Sequence, residues 1–147
     1  MKTLRLHITV LFIISGCSSN KFTDYNSIFV VRTNPHPFLV DHSKKLIVND
    51  KNGDVIDEQE LYTDPGVGCN SYLFDTDSTF TLIECNGYWY SIAKNNGQID
   101  NLGWRWEQKP PKDLIGTFKR TSGKKEYSLD TISEIELKEV YKFKDPG

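Results

Sequence analysis

Phe80-Thr81-Leu82-Ile83-Glu84-Cys85-Asn86-Gly87-Tyr88-Trp89-Tyr90-Ser91-Ile92-Ala93 is a pair of apolar, β-branched and aromatic runs joined by Asn-Gly. That dipeptide tolerates positive φ at both centres of a type I′ turn and is the strongest short-range hairpin signal. A two-residue loop at Asn86-Gly87 sets Cys85 opposite Tyr88, Glu84 opposite Trp89 and Ile83 opposite Tyr90. Upstream, a turn centred on Asp77 with Asp75 to Thr79 as its loop sets Phe74 opposite Phe80, Tyr72 opposite Leu82 and Cys69 opposite Cys85.

In that register Cys69 and Cys85 form a non-hydrogen-bonded pair, whose Cα atoms approach to about 4.5 Å, just inside the range a disulfide accepts. A disulfide closing a loop of about 15 residues contributes on the order of 3 kcal/mol in the chain-entropy description. We expect a structural bond between them. A pair of free buried thiols is the main alternative, and no Cys-x-x-Cys spacing supports a metal or redox pair.

The same register places Leu73, Ile83, Tyr88, Tyr90 and Ile92 on one face, and Tyr72, Phe74, Phe80, Leu82, Trp89 and Ala93 on the other. Both faces are apolar, so these strands belong to the middle of a sheet covered on both sides. Further short runs read as strands at Ile28 to Arg32, Phe38 to Asp41, Lys45 to Asn49, Val55 to Leu61, Asn70 to Phe74 and Ile115 to Thr121. Asn52-Gly53 marks a second type I′ hairpin, and Pro110-Pro111 a stiff connection. In the tail, Ile135, Leu137, Tyr141 and Phe143 alternate as a strand would, while Glu134 and Lys138 have the spacing of a helical ion pair; we favour strand. The expected fold is all-β, an antiparallel sandwich or a flattened small barrel built from hairpins.

Before this domain, Lys2 and Arg5 precede an apolar run from Leu6 to Ile14 that ends in Ser15-Gly16-Cys17. The run is about half the 20 residues a spanning helix needs, and has the layout of an export signal. Ile14-Ser15-Gly16-Cys17 resembles the lipobox of bacterial lipoproteins. The resemblance implies removal of residues 1–16, a diacylglycerol thioether on Cys17 and acylation of the new amino terminus, enough acyl chain for stable anchoring. Ser18 implies the outer membrane if the host has one. Residues 17–26 then form a polar tether and 27–147 a single domain.

Two of the 18 basic residues lie in the leader, so the mature chain carries sixteen basic against twenty acidic residues, a formal charge of −4. No basic stripe offers itself to nucleic acid. The motifs of nucleophile elbows, zinc helices and phosphate loops are missing, and only His36 and His42 remain as histidines of the mature chain. Asp50, Asn52 and Asp54 around Gly53 suit a turn better than a calcium loop, whose glycine stands later. We expect no cofactor, no metal and no catalytic residue. What the chain has for recognition is Trp89, Trp104 and Trp106, the last two spaced to share a face of an extended segment around Arg105.

These features favour a noncatalytic, membrane-anchored envelope lipoprotein that binds a protein partner, as an inhibitor, immunity or assembly factor. A glycan-binding accessory lipoprotein is the second reading and a small envelope hydrolase the third. Ser122-Gly123 with Tyr127 resembles the Ser-Gly-x-x-Tyr loop of small periplasmic lysozyme inhibitors, though the tyrosine stands one residue late. That likeness implies an inhibitor.

Overall fold

The computed structural model describes residues 24–33, 43–63, 70–121 and 124–130. It is all-β, with two antiparallel sheets that do not close into a barrel. The three-stranded sheet has the order β1-β2-β3, from Ile28–Thr33, Ser43–Asn49 and Val55–Glu60. The six-stranded sheet contains β4 (Ser71–Asp75), β5 (Thr79–Glu84), β6 (Tyr88–Ala93), β7 (Ile99–Trp104), β8 (Asp113–Arg120) and β9 (Tyr127–Asp130). Its order is β7-β6-β5-β4-β8-β9, so β4 and β5 are interior strands as expected. The expected strand at Phe38 to Asp41 and the carboxy-terminal run lie outside the described residues.

Both hairpins sit where the sequence puts them, but each register is displaced by one residue. Tyr72 pairs with Ile83 and Phe74 with Thr81, while Ile83 pairs with Trp89 and Leu82 with Tyr90. Only Gly87 has positive φ, +88°, so Asn86 does not adopt the type I′ conformation. The loop takes three residues, Cys85 to Gly87, closed by Gly87 N–H donating to the Glu84 carbonyl at 2.9 Å, the glycine-ended loop that matches strand twist in another way. Gly53, at +89°, ends the Lys51 to Gly53 loop likewise, with Asp50 N–H bonded to the Asp54 carbonyl at 2.8 Å. There the Asp50 carboxylate accepts N–H groups from Asn52 and Asp54, chiefly the latter, which holds its pKa below the ordinary value. Between β4 and β5, Thr76 N–H bonds the Thr79 carbonyl, leaving Asp77-Ser78 as the turn in place of the five residues expected.

A one-residue slip exchanges faces. Phe80 and Leu82 therefore join Leu73, Tyr90 and Ile92 on the face that meets Ile28, Val30, Leu46 and Val48 of the small sheet. Ile83 moves to the opposite face with Phe74 and Trp89, packed by Tyr72, Leu102 and Leu114. Burying each such leucine or isoleucine stabilises the fold by about 1.5–3 kcal/mol. The second face is crossed by the chain itself. β7 ends opposite Tyr88, whereas β8 starts opposite Asp75 at the other end and runs in the same direction as β7. Residues 105–112 must traverse the sheet, and with the first face filled by the small sheet they cross the second, where Pro110 is buried. The stiff Pro110-Pro111 connection is this crossover.

The sheets touch at two corners. Val31 and Glu126 form a single bridge beside an Arg32 N–H to Lys125 carbonyl bond of 2.7 Å. At the other corner Ile99 N–H donates to the Asp57 carboxylate at 2.8 Å, and Gly97 lies so close that an added Cβ would stand 3.0 Å from Ile56. These contacts fix the poles of the molecule. One pole holds the entry to β1, the Gly53 turn and the Gly97 turn; the other holds Cys85 to Gly87 and the end of β7. Asp24 to Asn26, read as tether, belong to a 3-10 turn at Tyr25–Ser27 capped by the Asp24 carboxylate at the first pole.

Tyr90, 2 % exposed in the shared core, has its pKa pushed up to about 12 by burial first, then by Glu84 and Tyr88. The unfolded phenol titrates near 10, so this contribution to stability is full below pH 10 and is lost as pH rises from about 10 to about 12. Spectrophotometric titration should show one tyrosine ionising after the others, and Tyr90→Phe should remove that late component.

Candidate functional site

Among the described residues, the Cys85 to Gly87 turn carries the largest exposed aromatic cluster. Trp104 pairs with Tyr88 and so shares its face. A bulge between Trp89 and Tyr90 produces this alignment: Trp89 meets Gly103 and Tyr90 meets Asn101, leaving Leu102 as the extra residue, turned into the second cluster. Gly103 supplies positive φ, +78°, and its N–H bonds the Asn101 side chain at 2.8 Å.

The turn itself is the cradle for both indoles. A Cβ on Gly87 would stand 2.8 Å from Cε3 of Trp106 and 3.0 Å from Nε1 of Trp104. Trp104 Nε1 donates to the Asn86 carbonyl at 3.1 Å, and Arg105 N–H to the Gly87 carbonyl at 2.8 Å. Arg105 points elsewhere, its guanidinium donating to the Leu102 carbonyl and the Gln108 side chain, each at 3.0 Å. On the neighbouring side, Tyr62 stacks on Tyr88 with centroids 5.5 Å apart and planes 20° apart. Tyr62 and Trp104 are 55 % and 59 % exposed and Trp106 37 %, so three aromatic rings are offered to solvent around one glycine turn. Trp104 is anchored by its polar edge and Tyr62 by stacking on Tyr88, while much of each ring stays open, a combination that serves recognition at low conformational cost.

Of the expected binding residues, the structure brings Trp104 and Trp106 together and separates Trp89, which is 3 % exposed on the opposite face. Trp89 is a core residue and offers no surface to a ligand. Tyr62 was not legible as part of the cluster, since only the folded chain sets it on Tyr88. Cys85 begins this same turn, and its N–H bonds the Asn70 carbonyl at 3.2 Å. Cys85 thus stands opposite Asn70, one residue away from the expected register. Cys69, Cys17, His36 and His42 lie outside the described residues.

A second polar assembly went unread in the sequence. Lys44, Ser71 and Glu84 are each at most 2 % exposed. Lys44 Nζ donates to Ser71 Oγ and Glu84 Oε2, both at 2.9 Å, and Ser71 Oγ donates to Glu84 Oε1 at 2.5 Å. The ammonium also lies 5.1 Å from the Tyr127 ring centroid. The alternation Lys44, Leu46, Val48 puts the lysine in an inward slot, which was the available signal. Serine beside lysine suits nucleophilic chemistry only where substrate reaches the hydroxyl. Here both are sealed, and the assembly ties one sheet to the other. Among the described residues, no group of three or more histidine, cysteine or acidic side chains is arranged to hold a metal. No family model, curated protein or solved structure matches this chain.

Proposed function

We propose that the protein is a lipid-anchored envelope lipoprotein whose Tyr62, Trp104 and Trp106 rim binds a protein partner as an inhibitor, immunity or assembly factor. The observation that carries this reading is polarity of placement. The chain enters β1 at one pole, and the rim stands at the other, about six residues or 20 Å of strand away. A chain tethered through Cys17 therefore presents its aromatic rings away from the bilayer and toward other envelope components. In the same reading Cys69 and Cys85 join in a disulfide, supported by Asn70, the neighbour of Cys69, lying against the turn that bears the rings.

Two arms test it. Labelling with an acyl-chain analogue should mark the wild type and not Cys17→Ser. Affinity capture from solubilised envelope should recover a partner, and the double variant Trp104→Ala, Trp106→Ala should bind that partner at least about 100-fold more weakly, as for two hot-spot aromatics. Equal recovery with the double variant would end the proposal. The open face of Trp104, with its edge tied to Asn86, also favours a glycan as the alternative ligand. That reading requires Trp fluorescence to respond to an oligosaccharide panel.

A further inference from the structure

Asparagine followed by glycine occurs three times, at Asn52-Gly53, Asn86-Gly87 and Asn96-Gly97, and all three pairs lie within the described residues. Asparagine is among the thermolabile residues, and glycine after it is the most reactive neighbour. The glycine nitrogen attacks the side-chain carbonyl carbon of the asparagine, closing a cyclic imide and expelling ammonia. Water then opens the ring at either carbonyl and leaves aspartate or isoaspartate. Glycine has no side chain to block the approach, and its backbone turns readily. Closure still requires the peptide between the two residues to rotate out of its turn, so a folded chain sorts identical dipeptides by what holds each of them.

The three turns start alike. Their glycines have positive φ, +89°, +88° and +74°, and each glycine N–H donates to a carbonyl earlier in the chain. Gly97 is buried, its N–H bonds the Ala93 carbonyl at 2.7 Å, and a Cβ on it would stand 3.0 Å from Ile56 and 3.1 Å from Val48 of the shared core. Asn96 Oδ1 accepts the Gln98 N–H at 3.1 Å. Gly87 is buried as well, with its N–H on the Glu84 carbonyl at 2.9 Å and both indoles against it. The Asn86 carbonyl accepts Trp104 Nε1, and Asn86 Oδ1 accepts the Tyr88 N–H at 3.2 Å. Rotating either peptide disturbs the core or the rim.

Asn52-Gly53 is held least. Both residues are exposed, and a Cβ on Gly53 meets nothing within 4 Å. The bond from Gly53 N–H to the Asp50 carbonyl is the longest of the three at 3.1 Å, and Asn52 Nδ2 reaches the Asp50 carboxylate only at 3.2 Å. The shorter bond, from Asn52 N–H to Asp50 Oδ1 at 2.8 Å, anchors the peptide before Asn52 and not the one that must rotate.

We propose that Asn52 is a site of spontaneous deamidation in the folded protein, and that packing around Gly87 and Gly97 protects Asn86 and Asn96 from the same reaction. One water is consumed and one ammonia released for each amide that becomes a carboxylate. The new charge stands between Asp50 and Asp54, at the pole opposite the rim.

The full mature chain is held at mildly alkaline pH, where the glycine amide is more readily deprotonated, and a parallel sample is held in concentrated urea. Peptide mass mapping with isoaspartyl methyltransferase labelling follows all three sites. In urea the three asparagines should convert at similar rates. In the folded chain Asn52 should convert at least about tenfold faster than Asn86 and Asn96, the ratio supplied by about 1.4 kcal/mol less local opening free energy. Gly53→Ala should slow conversion at Asn52 and leave the other two sites unchanged, since the added methyl hinders closure there alone. Conversion of Asn86 or Asn96 as fast as Asn52 in the folded chain overturns the proposal. So does an Asn52 that stays intact in the folded chain while all three sites convert in urea.

Discussion

Lys44→Met should lower the unfolding free energy by about 3–5 kcal/mol, the cost of breaking a buried ion pair by removing one partner. The lysine bridges β2 of one sheet to β4 and β5 of the other, and its ammonium is fully enclosed. Without it, the Glu84 carboxylate keeps its burial and loses its counter-ion, so most of the penalty comes from the stranded charge. Pairing Lys44→Met with Glu84→Leu should therefore recover much of the loss, since apolar replacement of both partners is often neutral or stabilising. Urea unfolding of the wild type, the two single variants and the double variant measures this as a cycle. Equal loss in the single and double variants would show that the assembly stabilises by packing alone.

Gly87→Ala should cost about 2–4 kcal/mol, against about 1–2 kcal/mol for Gly53→Ala, in thermal or urea unfolding. Both glycines have nearly the same positive φ, so both substitutions carry the same backbone strain. They differ in surroundings: a Cβ at Gly53 meets nothing within 4 Å, whereas one at Gly87 strikes both indoles. The difference between the variants isolates the cradle under Trp104 and Trp106. Near-ultraviolet circular dichroism should change with Gly87→Ala and not with Gly53→Ala. Equal costs and unchanged aromatic spectra would mean that the turn does not position the rings.

These predictions draw on features of unequal visibility in the sequence. The hairpins at Gly53 and Gly87 were legible because glycine and asparagine punctuate β-branched runs. Their registers were not, because a loop whose glycine alone takes positive φ needs one residue more than a type I′ turn, and the dipeptide does not say which forms. That residue carried Ile83 to the far face and Phe80 and Leu82 into the shared core. β7 went unread since Asp100, Asn101 and Gly103 look like loop, and the bulge at Leu102 breaks the alternation. β9 is four residues long and follows Lys124-Lys125-Glu126, so its pattern is too short to stand out. Trp104 and Trp106 were legible as a pair, but their meeting with Gly87 and the approach of Tyr62 to Tyr88 are tertiary contacts that no local pattern records. Lys44 was hidden by the ordinary expectation that lysine faces water, which a buried carboxylate reversed.

The central claim is that the Gly87 rim faces away from the bilayer and meets a protein there. The most direct measurement places a photo-crosslinking amino acid at position 62, beside Trp104, in cells that make and export the chain. The account predicts a discrete protein adduct that disappears in the Trp104→Ala, Trp106→Ala background. Crosslinks to lipid, or protein adducts that persist without the two indoles, would contradict it.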